Sequence, residues 1–227
     1  MEQMNGRHEL KYYINAADCA QLRARLRTVM RPDEHAGVSG GYLVRSLYFD
    51  NYADKAVTEK LSGQSRREKF RLRYYSGDSS MIRLEKKSKV NRLCCKESVG
   101  IPAEACAALL AGDYGVLNHP EVPLYMELYT KLRSQNLRPR SIVEYHREAY
   151  IYRPGNVRIT FDSGVRMSNS VAGFFNSALP TIPAINGDLT ILEVKYDGFL
   201  PDIIRNLAQI GLRSQTESSK YVMARLV

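Results

Sequence analysis

Glu68-Lys69-Phe70-Arg71-Leu72-Arg73-Tyr74-Tyr75 alternates with a period of two: Lys69, Arg71, Arg73 and Tyr75 fall on one side, Phe70, Leu72 and Tyr74 on the other. Such alternation predicts a half-buried β-strand. Lys69, Arg71 and Arg73 put a row of cations on one face. Same-face neighbours on a strand lie roughly 7 Å apart, so each adjacent pair repels by about 2.4 kcal/mol at an effective dielectric of about 20, and by about 0.6 kcal/mol in water. On a wet outer face the row costs little. Inside a fold it requires anions.

The same pattern recurs outward from this stretch. Residues 7–14 read as a strand with Glu9, Lys11 and Tyr13 on one face, and residues 42–49 as a second strand. After the hairpin signal Ser76-Gly77-Asp78-Ser79, residues 82–89 carry Arg83, Glu85, Lys87 and Lys89 on one face. Residues 92–99 place Arg92, Cys94 and Lys96 together. Residues 141–152, 157–162 (Arg158, Thr160, Asp162) and 190–197 (Glu193, Lys195) complete the set. Helical spacing covers 16–30 behind an N-cap at Asn15, then 52–61, 102–110, the stretch within 120–136, and 201–212. Residues 169–187 form a long loop containing Phe174 and Phe175. Many strands joined by short turns, with a few helices between, predict an α+β fold built on a mainly antiparallel sheet or barrel. No repeat or low-complexity segment divides the chain, so residues 1–227 are read as a single domain.

The totals narrow the function. A length of 227 residues buries a sizeable core, and the 44% hydrophobic and 25% charged fractions are those of a soluble globular chain. The net charge of +9 predicts an anionic partner. Cys19, Cys94, Cys95 and Cys106 show no Cys-x-x-Cys spacing, so they read as reduced packing residues in a cytoplasmic protein. No stretch approaches the roughly 20 apolar residues of a membrane span, and residues 1–7 lack the apolar core of a signal peptide. His8, His35, His119 and His146 share no spacing, and residues 37–41 lack the Gly-Lys-Ser/Thr ending of a phosphate-binding loop. Nucleic-acid binders set cations among exposed aromatic platforms. These strands set them among carboxylates instead, so no nucleic-acid partner is expected.

Several strands thus offer a face of Lys and Arg interleaved with Glu or Asp, opposite a face of Leu, Ile, Val, Phe and Tyr. If the charged faces turn inward and the apolar faces pack under helices, the lumen is a cationic tunnel. Its fitting ligand is a linear polyanion, and carboxylates among the cations suit a divalent metal that bridges phosphate oxygens.

Arg7-His8-Glu9-Leu10-Lys11-Tyr12, Arg45-Ser46-Leu47-Tyr48-Phe49-Asp50, Lys69-Phe70-Arg71-Leu72-Arg73-Tyr74-Tyr75, Leu84-Glu85-Lys86-Lys87, Glu144-Tyr145-His146-Arg147-Glu148-Ala149-Tyr150, Arg158-Ile159-Thr160-Phe161-Asp162, Leu192-Glu193-Val194-Lys195-Tyr196 and Ser219-Lys220-Tyr221 occur in this order. The ordered set resembles the motifs of the VTC domain, the catalytic domain of the vacuolar transporter chaperone polyphosphate polymerase, which also occurs as stand-alone bacterial proteins. The resemblance runs from near residue 7 to near residue 221. It implies a CYTH-like triphosphate tunnel fold: a closed antiparallel β-barrel of about eight strands with helices packed outside. It also implies transfer of the ATP γ-phosphoryl group to polyphosphate with Mn²⁺ or Mg²⁺. The implied catalytic residues are Lys11, Arg71, Arg73, Lys87, Arg158 and Lys220; the implied phosphate contacts are Lys96, Arg147, Lys195 and Ser219; the implied metal ligands are Glu193 and Glu9. Glu85 reads as a structural partner of its cationic neighbours. Triphosphate hydrolysis in the same tunnel, and polyphosphate binding without catalysis, are the alternatives. Arg7 stands where hydrolytic relatives carry an additional glutamate, which weighs against the first.

Overall fold

Each charged stretch becomes a strand because its alternate residues meet an apolar layer on the other side. The computed structural model describes residues 7–36, 40–90, 93–209, 214–217 and 219–227. It opens with β1 (His8–Ile14) and α1 (Ala16–Leu26). The Asn15 side chain accepts from the Asp18 N–H while the Asp18 carboxylate accepts from the Asn15 N–H, a reciprocal cap that fixes where α1 begins. The two-residue β2 (Arg31–Pro32) leads to β3 (Tyr42–Asp50), α2 (Lys55–Leu61), β4 (Arg66–Tyr75), β5 (Asp78–Val90) and β6 (Leu93–Ile101). Ser76 and Gly77 join β4 to β5 with φ of 50° and 75°, the left-handed pair that a two-residue type I′ hairpin needs. Then follow α3 (Ala103–Leu110), α4 (Pro123–Ser134), β7 (Arg138–Tyr152), β8 (Val157–Ser168), β9 (Ile182–Pro183), β10 (Thr190–Tyr196), α5 (Asp202–Leu207) and α6 (Lys220–Leu226).

Eight strands are paired in the order β1-β10-β8-β7-β3-β4-β5-β6, with β2 added to β7 and β9 to β8. Every pairing is antiparallel. The expected barrel is therefore corrected in one respect: among the described residues its sheet does not close, because β1 and β6 stand at the two ends of the path. Edge strands carry unpaired backbone groups that need other partners. Part of the β1 edge is covered by the C-terminal segment, where Gln215 bridges to Tyr12 and the Thr216 N–H donates to the Lys11 carbonyl at 2.8 Å. Side chains span the rest of the seam, Lys87 of β5 reaching Glu9 of β1 at 2.7 Å.

The apolar faces bury against helices. Phe70, Leu72 and Tyr74 of β4, with Leu47, Phe49 and Leu84, pack on Cys106 and Leu109 of α3 and on Leu124, Leu128 and Leu132 of α4. Ile14, Ile159, Phe161, Leu192 and Val194 pack on Cys19, Leu22 and Leu26 of α1 and on Ile204 of α5. These helices lie outside the sheet as expected, but α6 does not. Its Tyr221, Val222 and Ala224 join Val44 and Tyr48 of β3, Val143 and Tyr145 of β7 and Ile191 of β10, residues on the same faces as the charged rows. The reason is the break in charge at this end of the lumen, where the inward residues turn apolar and require a cover. Read from sequence the last residues are a tail; they form this plug. Arg92, Ser218 and residues 210–212 of the expected last helix lie outside the described residues.

Candidate functional site

Strand register sets the charges in rows. Lys69 of β4 pairs with Lys87 of β5, which pairs with Lys96 of β6; one step inward, Arg71 stands between Tyr48 and Glu85. On the opposite wall Glu9 of β1 pairs with Lys195 of β10, which pairs with Arg158 of β8. One step inward, Lys11 pairs with Glu193, which pairs with Thr160. Arg147 of β7 lies opposite Asp162 of β8, just past a bulge at Tyr145 that Gly164 permits at φ 57°.

Four carboxylates organise these cations. Glu85 is 1% exposed and takes Arg71 at 2.6 Å, Lys96 at 2.6 Å and Arg73 at 3.6 Å. Glu9 takes Lys87 at 2.7 Å, Lys11 at 3.3 Å and Lys195 at 3.8 Å. Glu193 takes Lys195 at 2.9 Å, Lys220 at 3.0 Å, Arg147 at 3.7 Å and Lys11 at 3.8 Å. Asp162, fully buried, accepts from Nε and Nη2 along one edge of the Arg147 guanidinium at 2.6 and 2.7 Å and takes Lys220 at 2.5 Å. Tyrosines line the gaps. The Tyr48 hydroxyl accepts from Arg71 at 3.1 Å, the Tyr145 hydroxyl accepts from Arg73 at 3.4 Å, and Lys220 lies 4.8 Å over the Tyr145 ring.

The network keeps its acids ionised. Burial acts to raise Glu9, yet Lys11, Lys87 and Lys195 hold it far below the usual carboxylate range. Burial is likewise outweighed at Glu85 by Arg71, Arg73 and Lys96, and at Glu193 by Lys195, Lys220, Lys11 and Arg147. Two lysines move the other way. Burial lowers Lys69 to about 7, with Lys87, Lys11 and Arg71 adding to the effect and Tyr48 opposing it. Burial also lowers Lys195 to about 8, against Glu193 and Glu9.

The residues singled out in sequence meet in one lumen: Lys11, Arg71, Arg73, Lys87, Lys96, Arg147, Lys195, Lys220, Glu9 and Glu193 share the four carboxylate centres. Ser219 stands beside them and accepts from Lys69 at 3.2 Å. Arg158 is the partial exception. It faces the same way but turns to Asp33 at 2.6 Å and the Tyr42 hydroxyl at 2.8 Å, outside the central network. Three positions were legible but not selected. Lys69 has the same parity as Arg71 and Arg73, Asp162 shares a face with Arg158, and Glu85, read as structural, gathers three cations. Outside this cluster, Arg7 pairs with Asp197 at 2.8 Å.

A cavity of about 340 Å³ enters the lumen from one end, lined among others by Glu9, Lys11, Lys69, Lys87, Ser219 and Tyr221. A divalent ion is testable against this donor set. Among the described residues no three His, Cys, Asp or Glu side chains cluster as a ready-made metal cage. The lumen nevertheless supplies ionised oxygen donors, and beside Glu193 the buried Thr160 hydroxyl has no hydrogen-bond partner among the described residues. Those features fit an ion of the Mg²⁺ or Mn²⁺ kind, held by one or two carboxylates with phosphate and water completing its shell. Glu193 and Glu9 are the residues that would hold it.

Fold and site together define an antiparallel sheet rolled around a lumen lined by cations and interleaved carboxylates. A model of the VTC domain family matches residues 6–227, and the chain belongs to that family. None of the curated proteins matches. Among solved structures, the chain is similar to a Pyrococcus horikoshii protein at 16% identity and TM-score 0.47, covering 97% of this chain and 98% of that one. It is also similar to a candidate adenylate cyclase from Vibrio parahaemolyticus at 10% identity and TM-score 0.49, covering 90% of this chain and 86% of that one. A candidate adenylate cyclase from Bacillus halodurans matches at 15% identity and TM-score 0.47, covering 89% of this chain and 87% of that one. Among the described residues no helix is long and apolar enough to cross a membrane.

Proposed function

We propose that this chain is a divalent-metal-assisted phosphotransferase that moves the γ-phosphoryl group of ATP onto a polyphosphate chain held in the lumen. The observation that carries the proposal is the charge excess inside the sheet. Lys11, Lys69, Arg71, Arg73, Lys87, Lys96, Arg147, Lys195 and Lys220 outnumber Glu9, Glu85, Asp162 and Glu193. Only a multiply charged anion balances that excess without a large desolvation cost.

Phosphoryl transfer needs charge neutralisation and in-line positioning more than a protein nucleophile. Here the bond from the γ-phosphorus to its bridging oxygen breaks, a bond to a terminal oxygen of the acceptor chain forms, and ADP leaves. The acceptor oxygen is already ionised, so no general base is required. Arg73 presents a planar fork suited to a pair of phosphate oxygens; Arg71 and Arg147, whose Nε edges are held by Glu85 and Asp162, add fixed charge, and Lys11, Lys87 and Lys220 supply mobile point charges. A bound divalent ion would add charge stabilisation at the reacting phosphates.

Incubation with ATP and Mn²⁺, with and without a short polyphosphate primer, followed by gel separation, tests this. A growing ladder with matching ADP supports it; phosphate release without a ladder replaces it with hydrolysis. No turnover, with saturable tripolyphosphate binding, replaces it with a binding module. Polyanion affinity is expected to fall as pH rises through 7 to 8, because Lys69 and Lys195, lowered to about 7 and about 8, lose their charge in that window. Titration calorimetry with tripolyphosphate from pH 6.5 to 8.5 checks the sign, and an affinity that rises across that window contradicts it.

A further inference from the structure

Among the cations that the motif resemblance implies, Arg158 alone is tied to a carboxylate outside the four centres. By register it belongs to an inner row: it stands opposite Lys195 of β10, which stands opposite Glu9 of β1. Its guanidinium nevertheless turns to Asp33 at 2.6 Å and to the Tyr42 hydroxyl at 2.8 Å. Nη2 makes both contacts, and Nε is buried with no hydrogen-bond partner among the described residues. Asp162, by comparison, takes two nitrogens of Arg147. A grip through one nitrogen is the weaker of the two. Asp33 itself is fixed. It is 5% exposed, its N–H donates to the Ala149 carbonyl at 2.9 Å, its carbonyl accepts from the Ala36 N–H at 2.8 Å, and its Oδ1 accepts from the His35 N–H at 3.1 Å. The Arg158 side chain keeps 34% of its surface in solvent. The carboxylate is therefore the stationary half of this pair, and the guanidinium is the half with room to turn.

Resting on the polyphosphate reading above, we propose that Asp33 is a positioning residue that holds Arg158 in reserve outside the lumen network, and that a phosphate chain filling the lumen draws Arg158 off it. Without a ligand, the lumen side of Arg158 is another cation, Lys195. Asp33 and Tyr42 supply the anion and the acceptor that make the outward turn the better one. A phosphate beside Lys195 reverses that preference, and it offers the guanidinium a two-oxygen partner that the Asp33 contact leaves unused. The Asp33 contact must then be given up. Its cost is subtracted from the observed affinity, as for any protein whose binding-competent state is only a fraction of the whole. Asp33 thus makes the ligand-free lumen a weaker polyanion site than its cations alone would give.

The expected sign is opposite to that of losing a merely structural ion pair. Asp33→Asn keeps an oxygen for the His35 N–H, and it is expected to bind inorganic tripolyphosphate about fivefold tighter than wild type. In an Arg158→Met background the same substitution is expected to change affinity by less than about 1.5-fold, because Asp33 acts through Arg158. Glu34→Gln removes the charge of the exposed neighbour and is expected to stay within about 1.5-fold of wild type. Tyr42→Phe removes the second anchor without changing a charge, and is expected to tighten binding about twofold. Titration calorimetry of the full chain at pH 7 reads all four. Unchanged or weaker binding by Asp33→Asn overturns the reserve role; should that variant not fold, Tyr42→Phe decides by the same sign. Equal tightening by Asp33→Asn with and without Arg158 also overturns it, as a plain charge effect. Failure of the wild type itself to bind tripolyphosphate overturns the polyphosphate reading, and the reserve role falls with it.

Discussion

Arg73→Ala is expected to lower chain growth from ATP at least about a hundredfold while leaving the melting temperature within about 4 °C of wild type. Arg73 is 5% exposed, yet it is lightly held. Its Nε donates to the Ser46 hydroxyl at 3.0 Å, one Nη donates to the Tyr145 hydroxyl at 3.4 Å, and the other stands 3.6 Å from Glu85. Glu85 does not depend on it, because Arg71 and Lys96 both lie at 2.6 Å. Removing the guanidinium therefore strands no carboxylate and relieves its repulsion with Arg71. The loss falls on the ligand, since a preorganised fork aimed into the lumen is worth most when charge develops on a transferring phosphoryl group. Arg73→Lys is expected to recover only part of the rate, because an ammonium cannot hold two oxygens at once. Initial rates with ATP and Mn²⁺, beside thermal melts, decide it; wild-type turnover in Arg73→Ala removes Arg73 from the machinery.

The contrast between Arg73 and Arg158 shows how far the sequence could be read. Both lie on inward faces by parity, and a period of two suffices to assign that. What each cation touches depends on partners far away in the chain. Asp33, in the turn after α1 and β2, lies 125 positions from Arg158, and nothing local announces that it will draw the guanidinium aside. The open seam is of the same kind. Alternation describes the faces of a strand and says nothing about which strand stands at its edge, so a closed barrel and a rolled sheet have the same signature. Lys69 was a different omission. Its parity matches Arg71 and Arg73, and its neighbours, Lys87 across on β5 and Ser219 at the start of α6, come from other parts of the chain. The plug formed by α6 was hidden because its apolar residues, Tyr221, Val222 and Ala224, span too short a stretch to show a helical period.

Glu193→Gln is expected to be the most damaging single substitution in the lumen, and its damage should be reversible by an anion. Glu193 lies between 2.9 and 3.8 Å from Lys195, Lys220, Arg147 and Lys11, where Asp162 and Glu9 cannot compensate all four. Stranding buried charges costs about 3–5 kcal/mol. At about 2–4 °C per kcal/mol for a chain of this size, the melting temperature falls on the order of 10 °C at pH 7. A polyanion replaces the missing charge, so saturating tripolyphosphate should raise the melting temperature of Glu193→Gln more than that of wild type. Turnover should stay lost, because the amide cannot hold a divalent ion as a carboxylate does. The pH dependence carries the same sign. Glu193, like Glu9 and Glu85, is held well below its ordinary range, so its stabilisation is complete above the unfolded value of about 4.3 and is lost as pH falls from there toward the lowered folded value. Wild type should therefore lose stability steeply below about pH 4.5, and Glu193→Gln less steeply, because part of that loss is already built into it. Parallel melting curves against pH for the two proteins would mean that Glu193 is not the counter-ion its geometry describes. A variant that melts like wild type at pH 7 would mean that the four cations find their balance elsewhere.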